Sequence, residues 1–198
     1  MNRLLVATRN RGKAQELRAL LMDLELSLVT PQDLGLDLSV TEDGLTYVEN
    51  AQKKAAAFAG ATGLIALADD SGLEVDALDG APGLHSARYV VTAGATDADR
   101  RGLLLTNLRD KPRPWRARFR AALALSVSDG ESYWTEGYCS GEIIPQERGS
   151  GGFGYDRIFL VDGTGRTMAE LDLDQKNRIS HRAMAVARAR PILRRLFT

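Results

Sequence analysis

The sequence predicts a mixed α/β fold, and three features of the sequence carry this prediction. In the first third of the chain, short apolar segments typical of buried strands alternate with segments whose leucines recur at helical spacing. Later, apolar residues occupy alternate positions from Phe119 to Val127, the period of a strand with one buried face. Polar clusters follow predicted strands or precede predicted helices, which is where ligands bind in α/β sheets. We therefore expect a ligand site at an edge of the sheet.

Each element in the first half of the chain follows from its local sequence. The apolar segment Arg3–Ala7 (RLLVA) predicts the first strand, and the polar segment Thr8–Gly12 predicts a turn after it. A helix should follow, because leucines recur at helical spacing at positions 17, 20, 21 and 24. The next expected elements are a strand at Leu26–Val29, a helix at Tyr47–Ala59, a strand at Leu64–Ala68 that ends where Asp69 begins, and a helix at Asp97–Leu108.

The second half begins with the alternating strand Phe119–Val127. The dipeptide Asp129-Gly130 is typical of a hairpin turn and predicts a partner strand at Ser132–Tyr138. A further strand is expected at Ile158–Val161, and the last helix should begin near Ser180. Pro191 should kink or interrupt that helix, because proline lacks a backbone N–H. A chain of 198 residues predicts one domain, or two lobes that share a core.

Composition excludes several classes of function. Lys plus Arg equals Asp plus Glu at 26 each, so the chain lacks the basic excess of a general nucleic-acid binder. The one cysteine, Cys139, excludes a disulfide within the chain, and two histidines exclude a histidine-rich metal centre. The segment Met1–Ala7 lacks the apolar run of a signal peptide, and no segment reaches transmembrane length. We expect a cytoplasmic protein without a membrane partner.

The first polar cluster is the turn Thr8-Arg9-Asn10-Arg11-Gly12-Lys13. Hydroxyl and amide groups, cationic side chains and the backbone N–H groups of a helix N-terminus all suit an anion such as phosphate. The spacing is not that of a Walker A loop. An ordinary capped turn with solvated Lys and Arg side chains is the alternative interpretation.

The second cluster contains the carboxylates of Glu42, Asp69 and Asp70. Carboxylates without nearby Cys or His select a hard ion, Mg²⁺ or Mn²⁺, and a Mg²⁺ site commonly uses one or two of them beside water and substrate phosphates. The alternatives are a solvated acidic loop and, for Glu42, a solvated segment at the start of a helix. Lys53 or Lys54 would either reach a phosphate or lie on the surface.

The third cluster is GSGGFGYDRIF, in which glycines surround Phe153, Tyr155 and Asp156. Glycines permit close approach of a ligand, and an aromatic ring beside a carboxylate suits a nucleobase. Lys176, His181 and Arg182 supply further donors, although a lone histidine more often caps a helix or packs in a core. A phosphate end, a metal and a base end together describe a nucleoside polyphosphate.

The chain resembles the inosine triphosphate pyrophosphatase (Ham1-like) family over nearly its full length. The resemblance rests on five motifs in the family's order: ATRNRGK, EDGLTYVENAQKKA, ADDSGLEVDALDGAPGLHSARY, GGFGYD and AELDLDQKNRISHR. It implies hydrolysis of a nucleoside triphosphate to the monophosphate and pyrophosphate, with preference for ITP, dITP and XTP. It also implies a homodimer with a long, curved mixed sheet flanked by helices, and two lobes with a central cleft.

The resemblance also implies a role for each site residue. Glu42 and Asp70 would hold Mg²⁺, and Asp70 would accept a proton from the attacking water. The residues implied to bind substrate are Thr8, Arg9, Asn10, Arg11, Gly12, Lys13, Lys54, Ser71, Phe153, Gly154, Tyr155, Asp156, Lys176, His181 and Arg182. Of these, His181 and Arg182 would donate to the 6-oxo group of the purine.

Two residues depart from the family pattern, and two other functions stay open. Arg157 replaces the proline that usually follows Gly-Tyr-Asp, and Asp43 stands where many members carry threonine. The alternatives are a Maf-like pyrophosphatase with another base preference and a nucleotide-binding module without hydrolysis. The Asp69-Asp70 pair and Glu42 favour an enzyme, because binding alone needs no general base.

Overall fold

The computed structural model describes residues 2–198, and it confirms the mixed α/β fold. The strands are β1 (Asn2–Val6), β2 (Leu26–Val29), β3 (Ile65–Val75), β4 (Trp115–Ser126), β5 (Ser132–Ile143) and β6 (Phe159–Val161). The helices are α1 (Arg11–Leu20), α2 (Tyr47–Thr62), α3 (Asp97–Leu108), α4 (Leu173–Ile179) and α5 (His181–Leu196), joined in places by 3-10 turns. Within the described residues these strands form one sheet in the order β2-β1-β3-β4-β5-β6.

The sheet contains both parallel and antiparallel pairs. β1 pairs in parallel with β2 and with β3, so that Leu4 lies opposite Leu28 on one side and Ile65 on the other. β5 pairs antiparallel with β6, with Glu142 opposite Leu160. Leu4, Leu5 and Val6 of β1 are fully buried, which explains why three apolar residues follow one another here, as is usual in parallel strands buried on both faces.

The chain forms two compact units, and three strands contribute to both. The first unit comprises residues up to Asp70, Ala121–Gly137 and His181–Thr198, and the second comprises Ser71–Arg120 and Tyr138–Ser180. The core of the first unit is built by β1, β3, β4, α1 and α5, with residues such as Leu4, Leu17, Leu67, Leu123 and Val186. The core of the second includes Leu73, Leu104, Phe119, Ile158 and Phe159. The unit boundary on β3 falls directly after Asp70.

Gly137 allows α5 to lie close against β5 in the first unit. A Cβ at this position would be 2.1 Å from the backbone oxygen of His181, a distance that no side chain can occupy. Thr135 on the same strand donates a hydrogen bond to the backbone oxygen of Ala185 at 2.9 Å. These two contacts fix the first turns of α5, which carry His181 and Arg182.

Most predicted elements are confirmed, but some bounds differ, one helix was missed, and Pro191 does not interrupt the last helix. β3 does not end at Ala68 but continues through both aspartates to Val75. α4 was not predicted from the sequence. Pro191 does not interrupt α5, which continues to Leu196, because Leu193 beyond the proline is buried in the core. β4 starts earlier than expected, at Trp115, and β5 runs longer, to Ile143.

Candidate active site

Thr8–Asn10 join β1 to α1, and Arg11–Lys13 form the first turn of the helix, so the turn predicted at Thr8–Gly12 ends earlier than expected. Asn10 caps the helix, because its side-chain oxygen accepts a hydrogen bond from the backbone N–H of Lys13 at 3.0 Å. Thr8 Oγ1 accepts from the backbone N–H of Asn10 at 3.2 Å. The turn borders an open pocket of about 780 Å³, whose lining includes Thr8, Arg9, Asn10, Arg11 and, opposite them, residues of the segment 30–37. Arg9 and Arg11 therefore line a pocket beside the start of α1, although Arg9 pairs there with Asp37.

Asp69 lies inside β3 and is only 2% exposed, so the interpretation as a solvated acidic loop is wrong. Its carboxylate forms ion pairs with the Lys13 ammonium and with Arg182, whose Nε donates to Oδ2 at 2.9 Å. Burial by itself would raise the pKa of Asp69, but Arg182 and Lys13 outweigh burial and hold it well below its usual range. Arg182, 1% exposed, also pairs with buried Glu16 on α1. Asp69 is therefore an ionised carboxylate that ties α1 and α5 to β3.

Asp70 has different surroundings, although it is the next residue. Asn50 on α2 donates a hydrogen bond to Asp70 Oδ2 at 3.1 Å. The Lys54 ammonium lies 3.6 Å from Asp70 Oδ1 and 2.9 Å from Glu42 Oε1. Burial raises the pKa of Asp70, Lys54 and Lys13 partly oppose this rise, and the charge of Glu42 adds to it. A carboxylate whose pKa is raised in this way is a candidate general base.

The alternation of side chains along a strand explains why the two aspartates differ. Successive residues of a strand point to opposite faces, so Asp69 shares the face of Leu67, and Asp70 shares the face of Ala68. Leu67 belongs to the core formed with α1 and α5. Asp69 accordingly contacts Lys13 and Arg182, whereas Asp70 contacts α2.

Glu42 and Asp70 fit a divalent cation. Both carboxylates lie close to the Lys54 ammonium, at 2.9 and 3.6 Å, so they converge on one cationic group. Carboxylate oxygens suit Mg²⁺, which needs only one or two protein ligands when phosphate and water supply the others. Across residues 2–198 no group of three or more His, Cys, Asp or Glu side chains forms a metal cage. Glu42 and Asp70 are two carboxylates, the number of protein ligands that a Mg²⁺ site commonly uses.

The second unit contains the glycine-rich segment and Lys176. The Asp156 carboxylate accepts hydrogen bonds from the backbone N–H of Phe153 at 3.0 Å and from Lys176 Nζ at 2.6 Å. Lys176 Nζ also lies 5.1 Å from the centre of the Phe153 ring, within cation–π range. Gly152 is required here, because it has φ +69° and a Cβ would be 2.0 Å from Asp156 Oδ2. Buried Asp156 and Lys176 thus support the partly exposed Phe153.

Tyr155 is part of the same segment and points into the second unit. Its hydroxyl donates to the backbone oxygen of Ser86 at 2.9 Å, and burial raises its pKa, so the phenol stays neutral. Tyr155 therefore anchors the glycine-rich segment to the backbone of Ser86 in the interior of the second unit.

The structure divides the predicted site residues between the two units. Thr8–Lys13, Glu42, Lys54, Asp70, His181 and Arg182 lie in the first unit, and Ser71, Phe153–Asp156 and Lys176 lie in the second. Lys54 is buried, whereas Lys53 pairs with Asp43 at the surface at 2.6 Å. Glu16 and Asn50 were not predicted from the sequence as part of the site. Each is a polar residue among the buried positions of its helix, and a buried polar group requires a partner.

Comparison with known proteins agrees with this description. A model of the Ham1 family matches residues 4–192. The dITP/XTP pyrophosphatase of Geobacter sulfurreducens is 49% identical over 188 residues, 94% of each chain. That of Desulforamulus reducens is 46% identical over 198 residues, 98% of this chain and 97% of its own. The structure of a HAM1 protein from Coxiella burnetii has a TM-score of 0.88 at 39% identity and covers 98% of this chain and 100% of its own. The chain therefore belongs to the Ham1 family.

Proposed function

We propose that this protein hydrolyses non-standard purine nucleoside triphosphates (dITP, ITP and XTP) to the monophosphate and pyrophosphate. The observation that carries the proposal is buried Asp70, whose raised pKa, hydrogen bond from Asn50 and proximity to Glu42 and Lys54 suit a general base beside a cation site. The relatives that bear the name dITP/XTP pyrophosphatase support the choice of substrate.

The phosphates would bind in the first unit. The segment Thr8–Lys13 offers side-chain donors and the N-terminus of α1. Arg9 and Arg11 line the pocket, and Lys13 adds positive charge beside Asp69. Lys54 lies between Glu42 and Asp70 and would contact a phosphate oxygen from there. Each cation would neutralise charge on the triphosphate.

Glu42 and Asp70 would hold Mg²⁺. When bound, the ion supplies positive charge to the phosphate oxygens and lowers the pKa of a bound water. Asp70 would accept the proton of the water that attacks the α-phosphorus, and pyrophosphate would leave. Asn50 would orient the Asp70 carboxylate during this step through its hydrogen bond to Oδ2.

The purine would bind through Ser71, Phe153–Asp156, Lys176, His181 and Arg182. Partly exposed Phe153 offers a ring for stacking, and Asp156 and Lys176 hold the backbone beside it. His181 and Arg182 are the proposed donors to the 6-oxo group. A 6-amino base would leave such donors unpaired at about 1–3 kcal/mol per contact, or roughly 5- to 150-fold in rate.

The proposal includes two features that the sequence analysis expected, a homodimer and a cytoplasmic location. The resemblance to the family supports the homodimer. Over residues 2–198 no helix has the length and apolarity needed to cross a bilayer. Light scattering of the purified protein would measure the oligomeric state.

Separate assays of pyrophosphate and orthophosphate test the proposed reaction. The protein is incubated with Mg²⁺ and dITP, XTP, ITP, dATP or dGTP in turn. We expect pyrophosphate and monophosphate in equal amounts from the first three, and much slower turnover of dATP, whose 6-amino group would leave the proposed donors unpaired. Orthophosphate without pyrophosphate would contradict cleavage between the α and β phosphates. Equal rates on all five, or rapid turnover of another base alone, would favour a Maf-like activity, and binding without turnover would favour a binding module.

Removal of divalent cations should abolish turnover. Excess EDTA is expected to reduce pyrophosphate release below detection, because Glu42 and Asp70 would lose the ion that couples them to the phosphates. Adding Mg²⁺ beyond the chelator should restore the rate, whereas adding Ca²⁺ should restore it poorly because Ca²⁺ prefers longer bonds and more ligands. Full activity in EDTA would show that the pair of carboxylates acts without a metal.

A further inference from the structure

α3 holds the peptide groups on both sides of Gly154, in the middle of the glycine-rich segment. Asp97 Oδ2 accepts a hydrogen bond from the Gly154 backbone N–H at 2.7 Å. Arg101 Nη1 donates to the Gly154 backbone oxygen at 2.8 Å. Asp97 and Arg101 lie four residues apart and therefore on the same face of the helix. One helix face thus binds both the N–H and the C=O of a single residue.

Glu147 fixes the direction of Arg101. Arg101 Nε and Nη2 donate to the two carboxylate oxygens of Glu147 at 2.7 and 3.2 Å, a bidentate pair. Arg157, at the end of the same segment, has Nη1 3.6 Å from Glu147 Oε2. Arg101 is only 6% exposed, so its position is set by these contacts and not by solvent.

The hydrogen bonds of Gly154 restrict the backbone next to Phe153. Gly154 has φ +61°, in the left-handed region, and its N–H belongs to the peptide group that follows the Cα of Phe153. Asp156 accepts from the N–H that precedes the Phe153 Cα, and Asp97 accepts from the N–H that follows it. Arg101 binds the next carbonyl oxygen, that of Gly154, so α3 restricts the backbone on the C-terminal side of Phe153.

α3 itself does not need Arg101. Thr96 and Asp99 form a capping box at its start, and Leu104 and Leu108 are fully buried in the core of the second unit. A buried guanidinium that points from a stable helix to a loop backbone is therefore available for a role in that loop.

We propose that Arg101 is a positioning residue for the purine end of the site. Through Gly154 it sets the orientation of Phe153 toward the base, and Glu147 holds it in place. This inference rests on the proposed function, in which Phe153 contacts the purine. It predicts that loss of Arg101 weakens substrate binding and leaves the chemical step, which uses Asp70, nearly unchanged.

The experiment compares Arg101→Met, Arg101→Lys and Glu147→Gln with Arg116→Met. Arg116 is the matched control, because it too forms a bidentate pair within the second unit, with Asp162 at 2.7 and 3.0 Å, but does not contact the glycine-rich segment through that pair. We expect the KM for dITP to rise about 10-fold in Arg101→Met, equivalent to about 1.4 kcal/mol. The kcat should stay within about twofold. Arg101→Lys and Glu147→Gln should show smaller increases in KM, and Arg116→Met should resemble the unmodified protein.

The separation of KM from kcat distinguishes positioning from simple loss of stability. A destabilised protein has fewer active molecules, which lowers the maximal rate at unchanged KM. Hydrogen exchange of the Gly154 amide adds a readout without substrate, and it should be faster in Arg101→Met than in Arg116→Met. If Arg101→Met does not fold, Glu147→Gln tests the inference by the same measurements of KM, kcat and Gly154 exchange, because the Glu147 side chain is partly exposed.

Unchanged KM and unchanged Gly154 exchange in active Arg101→Met, or in Glu147→Gln, would overturn the inference. If the unmodified protein releases no pyrophosphate from dITP, the proposed function fails, and the inference fails with it. An active unmodified protein with unaffected variants contradicts the inference alone.

Discussion

Asp70→Asn is expected to lower kcat by about 10²–10⁴-fold, the range that a positioned general base contributes. Asparagine has nearly the shape of aspartate and still accepts the hydrogen bond from Asn50, but it cannot take a proton from water. The phosphate turn and the purine segment stay intact, so dITP should still bind. The measurements are single-turnover pyrophosphate release and calorimetric titration with dITP.

Asp43→Asn is the matched control for this prediction. Asp43 is an exposed carboxylate next to Glu42, and its partner is surface Lys53. Its replacement should change kcat by no more than about twofold. The stability of Asp70→Asn should equal or exceed that of the unmodified protein, because burial raises the pKa of Asp70 and so disfavours its charged form in the folded state. Full activity in Asp70→Asn would remove Asp70 from the role of base.

Asp69→Asn is expected to reduce the free energy of unfolding by about 3–5 kcal/mol, the usual cost of removing one partner from a buried ion pair. Asparagine at this position leaves the cations of Lys13 and Arg182 without their shared carboxylate. Arg182 would keep Glu16, but the charges in this part of the core would no longer balance. Urea unfolding followed by circular dichroism measures the difference.

The pH dependence of this difference provides a second test. Because the folded-state pKa of Asp69 is lowered, the carboxylate stabilises the protein fully above its unfolded value of about 3.8, and this contribution is lost as the pH falls toward the folded value. The gap between Asp69→Asn and the unmodified protein should be constant near neutral pH and shrink in acid. Asp162→Asn, which breaks an exposed pair with Arg116, should cost much less. A loss below about 1 kcal/mol in Asp69→Asn would contradict the structural role.

Local sequence was sufficient to predict the strands and helices that have one regular apolar face. The strand near Phe119 was recognised from its period of two, and the same alternation, buried Trp115 and Ala117 against exposed Arg116 and Arg118, continues to the true start of β4. α4 was not predicted because it has only seven residues and its one leucine, Leu173, is exposed, so the helix has no apolar face in the sequence.

Local sequence could not show that Asp69 and Asp70 lie inside a strand. Two adjacent carboxylates normally indicate the surface, because burial of an unpaired charge is costly. The compensating cation for Asp69 is Arg182, 113 positions later. The motifs did indicate which residues matter, and the fold was needed to show that Asp69 binds cations of the protein and that Asp70 faces Lys54 and Glu42.

The strand pairing of β1 with β3 sets the roles of both aspartates at once. Val6 lies opposite Leu67, two positions before Asp69. A deletion of one residue between Ile65 and Ala68 would turn every later side chain of the strand to the other face. Asp70 would then turn to the face of Arg182, and Asp69 would turn to the face of Lys54. A substitution in this strand changes one side chain, whereas a change in its length would exchange the surroundings of Asp69 and Asp70. We therefore expect related sequences to differ here by substitutions and not by insertions or deletions.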